Sequence, residues 1–352
     1  MKNIKSNILL FGMTLFAGCT LMLSSCGDDD DDNNGGGGSN VAGNESALVK
    51  EGNVLLTSID GYHPIAFTYD EQLRPVSAYE SDGYYEDGYD EMFFIDYKTG
   101  KITLWGELEG LSVSFNANGY ITKIQGSWNY TEDGEVSRGS MTQICNYDNS
   151  GHLISVETND EEYEEYDGHK YYDKSVAKVA LTWNNGNLTK TETNSVWYDE
   201  KGDIEENSSI VQTFTYGNSI NRYKQYPGIY GEDEDNEFLY VGLLGVGPEK
   251  LPLTYYSKEV YEYNGRKDEY ESSWSAEFTL NENGSIDTET WTGMEKNEAV
   301  STTKFNYTPT DGYNPQKTRA LLSPYMSKSA TGKGKSVRNL LKRGMFKSVK
   351  RG

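Results

Sequence analysis

The sequence predicts an all-β fold: a long antiparallel β-hairpin meander with one short helix inserted into it. Three observations predict it. A short turn motif recurs seven times along the chain, the segments between its copies alternate apolar and polar residues, and tyrosine, which favours a pleated, half-buried surface, occurs 28 times.

The motif is an aromatic or apolar strand end, then Asp or Asn, then a glycine, then a restart on Ile or Leu. Val113 to Ile121 aligns with Cys145 to Leu153, with Trp197 to Ile204 and with Phe278 to Ile286. Two copies have a loop one residue shorter, Tyr97 to Ile102 and Trp183 to Leu188, and Tyr69 to Leu73 is a degenerate copy without the glycine. An Asp or Asn side chain can open such a turn by accepting backbone N–H groups, and glycine tolerates the positive φ that closes it. Hairpin loops of three to five residues need both.

Between the turns the strands follow. Trp274, Ala276, Phe278 and Leu280 alternate with Ser275, Glu277 and Thr279; Val260 to Tyr263 and Val211 to Tyr216 read likewise. Consecutive strands should pair with their sequence neighbours. The pattern is compatible with an open curved sheet, a sandwich or a barrel, and the unequal turn spacing argues against a regular propeller. One stretch breaks the alternation. Asn236 to Leu244 places Leu239, Leu243 and Leu244 on one helical face between acidic residues and Gly245 to Pro248, which reads as a short helix plugging one end or face of the sheet.

The N-terminus has a different character. Lys2 and Lys5 precede an apolar run from Ile8 to Leu23, and small residues lead to Cys26. That is the layout of a secretory signal, too short and too soon charged for a transmembrane span. Leu23-Ser24-Ser25-Cys26 resembles the lipobox of bacterial lipoproteins, which implies acylation of the Cys26 thiol and removal of residues 1–25; Phe16 to Cys19 is a poorer match. Acylation at several chains would hold a soluble domain firmly on a membrane. Residues 26–44 contain Asp28 to Asp32 and a Gly/Ser run, and read as a self-repelling tether. The acidic run beside the cysteine is similar to the surface-export signal of Bacteroidetes lipoproteins, which implies an outer-membrane protein facing the cell exterior.

Charge divides the rest. Residues 45–312 are expected to form the β domain, and residues 40–316 carry a net charge of −31; residues 313–352 form a basic tail with eleven Lys or Arg and no acid. The acidic body argues against nucleic acid and anionic lipid as its ligands. In the tail, Val337, Leu340, Leu341, Met345 and Val349 fall near one helical face among basic residues, so the tail reads as either disordered or an interfacial helix. Once the leader is removed, Cys145 is the remaining internal cysteine. It sits within a strand pattern, with no basic neighbour in sequence to activate it, and reads as a buried thiol.

The aromatic-Asp-x-x-Gly-x-Leu frame resembles the tyrosine–aspartate repeats of Rhs-type shell proteins. The lipobox, the glycine-punctuated hairpins and the stretch from Phe214 through Leu253 together look like Bacteroidetes lipoproteins of the DUF4595 type. That resemblance implies the fold over residues 50–310 and attaches no catalytic residues to it.

No nucleophile elbow, phosphate loop or zinc-binding helix is present, and His63, His152 and His169 lie far apart, with His152 at the exposed position after a turn glycine. No cofactor is expected. Calcium is the one candidate: Asp233, Asp235 and Glu237 alternate in one acidic run, and residues 160–165 form another, both read as solvated loops. Trp128, Trp183, Trp197, Trp274 and Trp291 all fall in expected strands and could stack against sugar rings, although the hairpin frame itself uses many aromatics as core. The expectation is a non-enzymatic surface binding module for an extracellular glycan. An accessory subunit docking on an outer-membrane protein complex and a glycoside hydrolase using two carboxylates are the competing readings.

Overall fold

The computed structural model describes residues 46–322 except for positions 62–63, 82–88, 105–107, 133–134, 167–168, 227–236, 264 and 295–297. The signal segment, Cys26, the tether, and the stretch of the tail holding Val337 to Val349 lie outside the described residues. A short helix, α1 (Ala47–Gly52), leads into β1 (Val54–Asp60), β2 (Ile65–Tyr69), β3 (Pro75–Ser81) and β4 (Tyr89–Asp96). The next strands are β5 (Lys101–Leu104), β6 (Leu108–Phe115), β7 (Ile121–Glu132), β8 (Glu135–Tyr147), β9 (Leu153–Tyr166) and β10 (His169–Asn184). After them come β11 (Asn187–Tyr198), β12 (Ile204–Ile220), the helical turn α2 (Glu237–Tyr240), β13 (Lys250–Tyr263), β14 (Arg266–Leu280), β15 (Ile286–Gly293), β16 (Glu298–Pro309) and α3 (Pro315–Leu322).

Every strand pairs antiparallel with its sequence neighbour, as the meander requires. The ring then closes through β1 and β16, from Val54 opposite Pro309 to Asp60 opposite Lys304. The result is a closed sixteen-stranded barrel without free sheet edges. Its wall is uneven: β2 and β5 have five and four residues, whereas β7 to β14 have twelve to seventeen.

The turn motif folds as its chemistry demands. Asp148 Oδ1 accepts the backbone N–H of Ser150 and of His152, and Asn116, Asp199 and Asp70 do the same two and four residues on. Gly151 closes its turn at a φ of 85°, and Leu73 occupies the same left-handed place in the degenerate copy at 60°. Six of the seven copies lie at one end of the barrel, where even-numbered strands run into odd ones; the turn after β11 is at the other.

In four of the seven copies the aromatic that opens the motif has a second task. At the ends of β2, β4, β8 and β10, Tyr69, Tyr97, Tyr147 and Trp183 donate to the carbonyls of Leu56, Pro75, Ile121 and Leu153. Tyr216 on β12 and Tyr307 on β16 donate likewise to Leu188 and Ile286. Each bond ties the end of an even strand to the start of the strand before it, at 2.6–2.8 Å. Burial of these phenols pushes their pKa values upward, so they remain neutral donors.

The same end is plugged by residues 237–249 of the β12–β13 connection, but the helix read over Asn236 to Leu244 is only the four-residue turn α2: Gly242 takes a φ of 76°, and Leu243 and Leu244 lie in the turn beyond it. Phe238 stacks on Phe93 at 4.6 Å and Tyr240 meets Phe305 edge-on. The backbone then crosses the mouth: Ile121 N–H donates to Leu243, Val246 N–H to Gly151, and Glu249 N–H to Gly186. Leu239, Leu243 and Leu244 are buried against the inner wall with Leu55, Ile95, Ile102, Leu111 and Leu188. The apolar core of the protein therefore sits at one end of the barrel.

Candidate functional site

Away from the plug, the inner face of the tall wall changes character. Partners in register share a face, so the alternation that buries Met141, Val156 and Val179 also turns Ser137, Gly139, Asp160, Glu162, Asp173 and Ser175 inward. Tyr171, Tyr263 and Tyr270 take inward positions near the far rim and are 49%, 39% and 58% exposed. Water therefore reaches this end of the lumen.

Four of the five tryptophans singled out from the sequence face the lumen: Trp128, Trp197, Trp274 and Trp291 share their faces with Gly139, Ser175, Tyr255 and Ala276. Trp183 does not join them. It lies at the plugged end, stacked on His152 at 4.2 Å and bonded to Leu153, and so belongs to the hairpin clamp. Trp128 and Trp274 each lie across a glycine, Gly139 and Gly293. A Cβ on Gly139 would stand 2.3 Å from Trp128 Cζ2. The indole Nε1 atoms of Trp128 and Trp291 are buried and lack a hydrogen-bond partner, as do the hydroxyls of Ser195 and Ser208. Such groups normally find one.

The acidic run at 160–165 is strand, not the solvated loop read from the sequence. Period two splits it: Asp160, Glu162 and Glu164 face inward, and Glu161 and Glu165 outward. Burial first, then the charge of Asp173, pushes the Asp160 carboxyl up to about 7. Burial, then Glu164 and Asp160, pushes Glu162 up to about 8, although Ser137 Oγ donates to it. Sequence reasoning missed this cluster, along with Ser195 and Ser208. The available signal was the placement of acids between the strand-like residues Val156 and Val176.

The remaining candidates separate. Glu237 is 2% exposed at the start of α2, so it is no part of a solvated loop, while Asp233 and Asp235 lie outside the described residues. Among the described residues no three His, Cys, Asp or Glu side chains converge as a metal site. His152 is buried rather than exposed, held by Asp148 and Trp183; the turn returns its side chain onto the strand behind it. Cys145 is buried in β8, and burial pushes its thiol up to about 12.

The outer face of the tall wall is polar. Lys178 pairs with Glu157, Lys190 with Glu192, and Lys258 with Glu269 and Glu271. Thr215 meets Thr254, Thr279 meets Thr288, and Thr290 meets Thr302. A barrel crossing an outer membrane turns an apolar band outward and polar groups inward. Over these described strands the outward positions mix these charged pairs with Val176, Val196, Val211 and Val260.

No family model matches the chain, and no curated protein matches it. Among solved structures, the chain is similar to the crystal structure of a porin-like protein from Bacteroides uniformis ATCC 8492, with 14% identity and a TM-score of 0.36, over 72% of this chain and 96% of that one.

Proposed function

We propose that the protein is a non-enzymatic binding module, anchored by a lipid on Cys26 to the outer membrane and facing the cell exterior, which takes extracellular glycan into the far end of its barrel. The observation that carries this reading is the lumen itself. Four tryptophans face it: Trp197 and Trp274 are half-buried, while Trp128, packed in the core, and Trp291, packed against Tyr255 and Phe278, hold buried indole N–H donors without partners. A sugar offers a ring face for stacking, oxygens for the indole donors and hydroxyl protons for the carboxylates. The charged outer wall supports a barrel held outside the bilayer by its tether.

The hydrolase reading is weaker on the same residues. An acid and a nucleophile need environments that push their pKa values apart. Burial first, then neighbouring carboxylates, move Asp160 and Glu162 in the same direction.

The test is a thermal-shift screen of the whole chain in detergent against a polysaccharide panel, with and without calcium. A ligand that binds only the folded state stabilises it by about 2.7 kcal/mol at a hundredfold excess over Kd. A reproducible shift that is lost in Trp128→Phe is expected. A flat panel would sink the glycan reading and favour a protein partner.

A further inference from the structure

Both ends of the described chain leave the barrel at the same place. With sixteen strands paired in chain order, β1 starts where β16 ends, and Thr310 N–H donates to the Asn53 carbonyl there. That place is the plugged end. Ser46 lies against Gly242, and Gly52 against Tyr223, both in the β12–β13 connection. Just ahead of α3, the Tyr313 hydroxyl accepts the Tyr69 N–H at the end of β2. The tether from Cys26 therefore arrives, and the basic tail departs, at the closed mouth, while the lumen opens at the other end.

Charge is sorted along the same axis. At the open end, residues 160–165 have five acids and no base, residues 199–206 five acids and one base, and residues 258–271 five acids and three bases. At the plugged end the signs balance among the described residues. The β2–β3 and β4–β5 turns, residues 70–74 and 96–101, together have three acids and three bases. Beside them the exposed Lys50, Lys224 and Lys317 stand against Glu51, Glu249 and Asp311.

Residues 323–352, outside the described residues, contain nine Lys or Arg and no acid, with Val337, Leu340, Leu341, Met345 and Val349 interleaved at helical spacing. The four acids at 232–235, in the plug connection and also outside the described residues, would answer fewer than half of these bases. The acids of the open end are poorly placed to answer the rest. They stand about 40 Å away along the twelve residues of β11, about four Debye lengths at physiological salt. Bases interleaved with apolar residues suit an anionic bilayer surface, where apolar side chains enter the headgroup boundary and the cations meet phosphate.

We propose that the plugged end faces the membrane and that residues 323–352 bind its phosphate-bearing anionic headgroups, so that the barrel stands on its closed mouth and the lumen opens away from the bilayer. The reverse pose would press the acids of the open end against the same anionic surface. This contact depends neither on what enters the lumen nor on acylation of Cys26.

Vesicle co-sedimentation tests it, on the chain without residues 1–25 and with Cys26→Ser, so that neither the apolar leader nor an acyl group contributes. The probes are vesicles of phosphatidylcholine alone and mixed with phosphatidylglycerol, at low and high salt. Binding is expected to the mixed vesicles only, and to weaken with salt. Each base at the surface strengthens binding about fivefold. Lys342→Gln, Arg343→Gln, Lys347→Gln and Lys350→Gln combined should therefore weaken it about a hundredfold or more. The same change of four charges at the open end, Lys170→Gln, Lys201→Gln, Arg266→Gln and Lys267→Gln, should not weaken it. A donor fluorophore on Lys98→Cys, in the β4–β5 turn, should transfer energy to acceptor-labelled lipid more strongly than one on Lys201→Cys, in the β11–β12 turn; Cys145 is buried and stays unlabelled. Equal binding to neutral vesicles, or binding indifferent to the tail variant, would overturn the tail contact. Stronger transfer from Lys201→Cys would overturn the orientation. No binding at low salt would mean that the chain answers the tail's charge itself, and would overturn both. None of these outcomes bears on glycan binding.

Discussion

Stability of the barrel should fall as the pH rises from 5 to 9, through the inward carboxyls of β9. Asp160 stands at about 7 against an ordinary 3.8, and Glu162 at about 8 against 4.5. Either displacement corresponds to about 4 kcal/mol between protonation states. The charge of Asp160 is one of the causes that raise Glu162, so the two figures overlap, and about 4 kcal/mol or more is expected for the pair. The sign follows from proton counts. Between pH 4 and pH 8 the folded state holds more protons than the unfolded chain, so unfolding becomes easier with each proton released. The contribution is complete below the unfolded values and gone above the folded ones. The double variant Asp160→Asn, Glu162→Gln keeps both positions neutral. Urea denaturation of wild type and variant at pH 3.5, 5, 7 and 9 should show near-equal stability at pH 3.5, an advantage of about 1–2 kcal/mol for the variant at pH 5 and about 4 kcal/mol or more at pH 9. Parallel pH profiles would falsify the placement of these two carboxyls in a desolvated cluster, because ionisation would then cost the fold nothing.

The packing and the hairpin clamps give two further tests. Gly139→Ala places a Cβ 2.3 Å from Trp128 and 2.6 Å from the Glu161 carbonyl, so it should cost about 3 kcal/mol or more; Gly202→Ala, in open space at a φ of 83°, should cost about 1–2 kcal/mol from the backbone alone. Equal losses in urea denaturation would remove the close approach of Trp128 from the account. Tyr147→Phe deletes a buried donor to the Ile121 carbonyl and should lower stability by about 1–3 kcal/mol, whereas Tyr172→Phe, whose hydroxyl meets Glu161 at the surface, should change little. A neutral Tyr147→Phe would mean the clamp is incidental to the fold.

Much of this protein was legible locally. The turn motif is written within five residues, so Asp148 and Gly151 announce the hairpin they form, and each hairpin pairs strands adjacent in sequence. The plug is legible in part: Leu239, Leu243 and Leu244 are buried there as their spacing suggests, but only Leu239 lies in the helical turn, because Gly242 at a positive φ ends it. The acids at 160–165 were misread because composition suggests solvent, whereas alternation on a strand sends every second side chain into the lumen. The tryptophans were recognised as a set, but not sorted: only the structure separates the clamp residue Trp183 from the lumen residues Trp128, Trp197, Trp274 and Trp291.

What the sequence by itself determined is the chain's local grammar: all-β, antiparallel, neighbour paired with neighbour, one helical interruption, and an acidic body. The tertiary structure decided closure and inside from outside. Closure depends on β1 meeting β16 about 250 residues away, through backbone hydrogen bonds that any pair of strands could make. Side chains add to the seam, with Asn306 donating to Ser58 and Asp60 and Thr57 meeting Thr308, but these are common strand residues whose pairing the linear sequence does not mark. Inside and outside were decided with it. An alternating strand has two faces, and whether Glu162 or Glu161 meets water depends on which way the whole sheet curls.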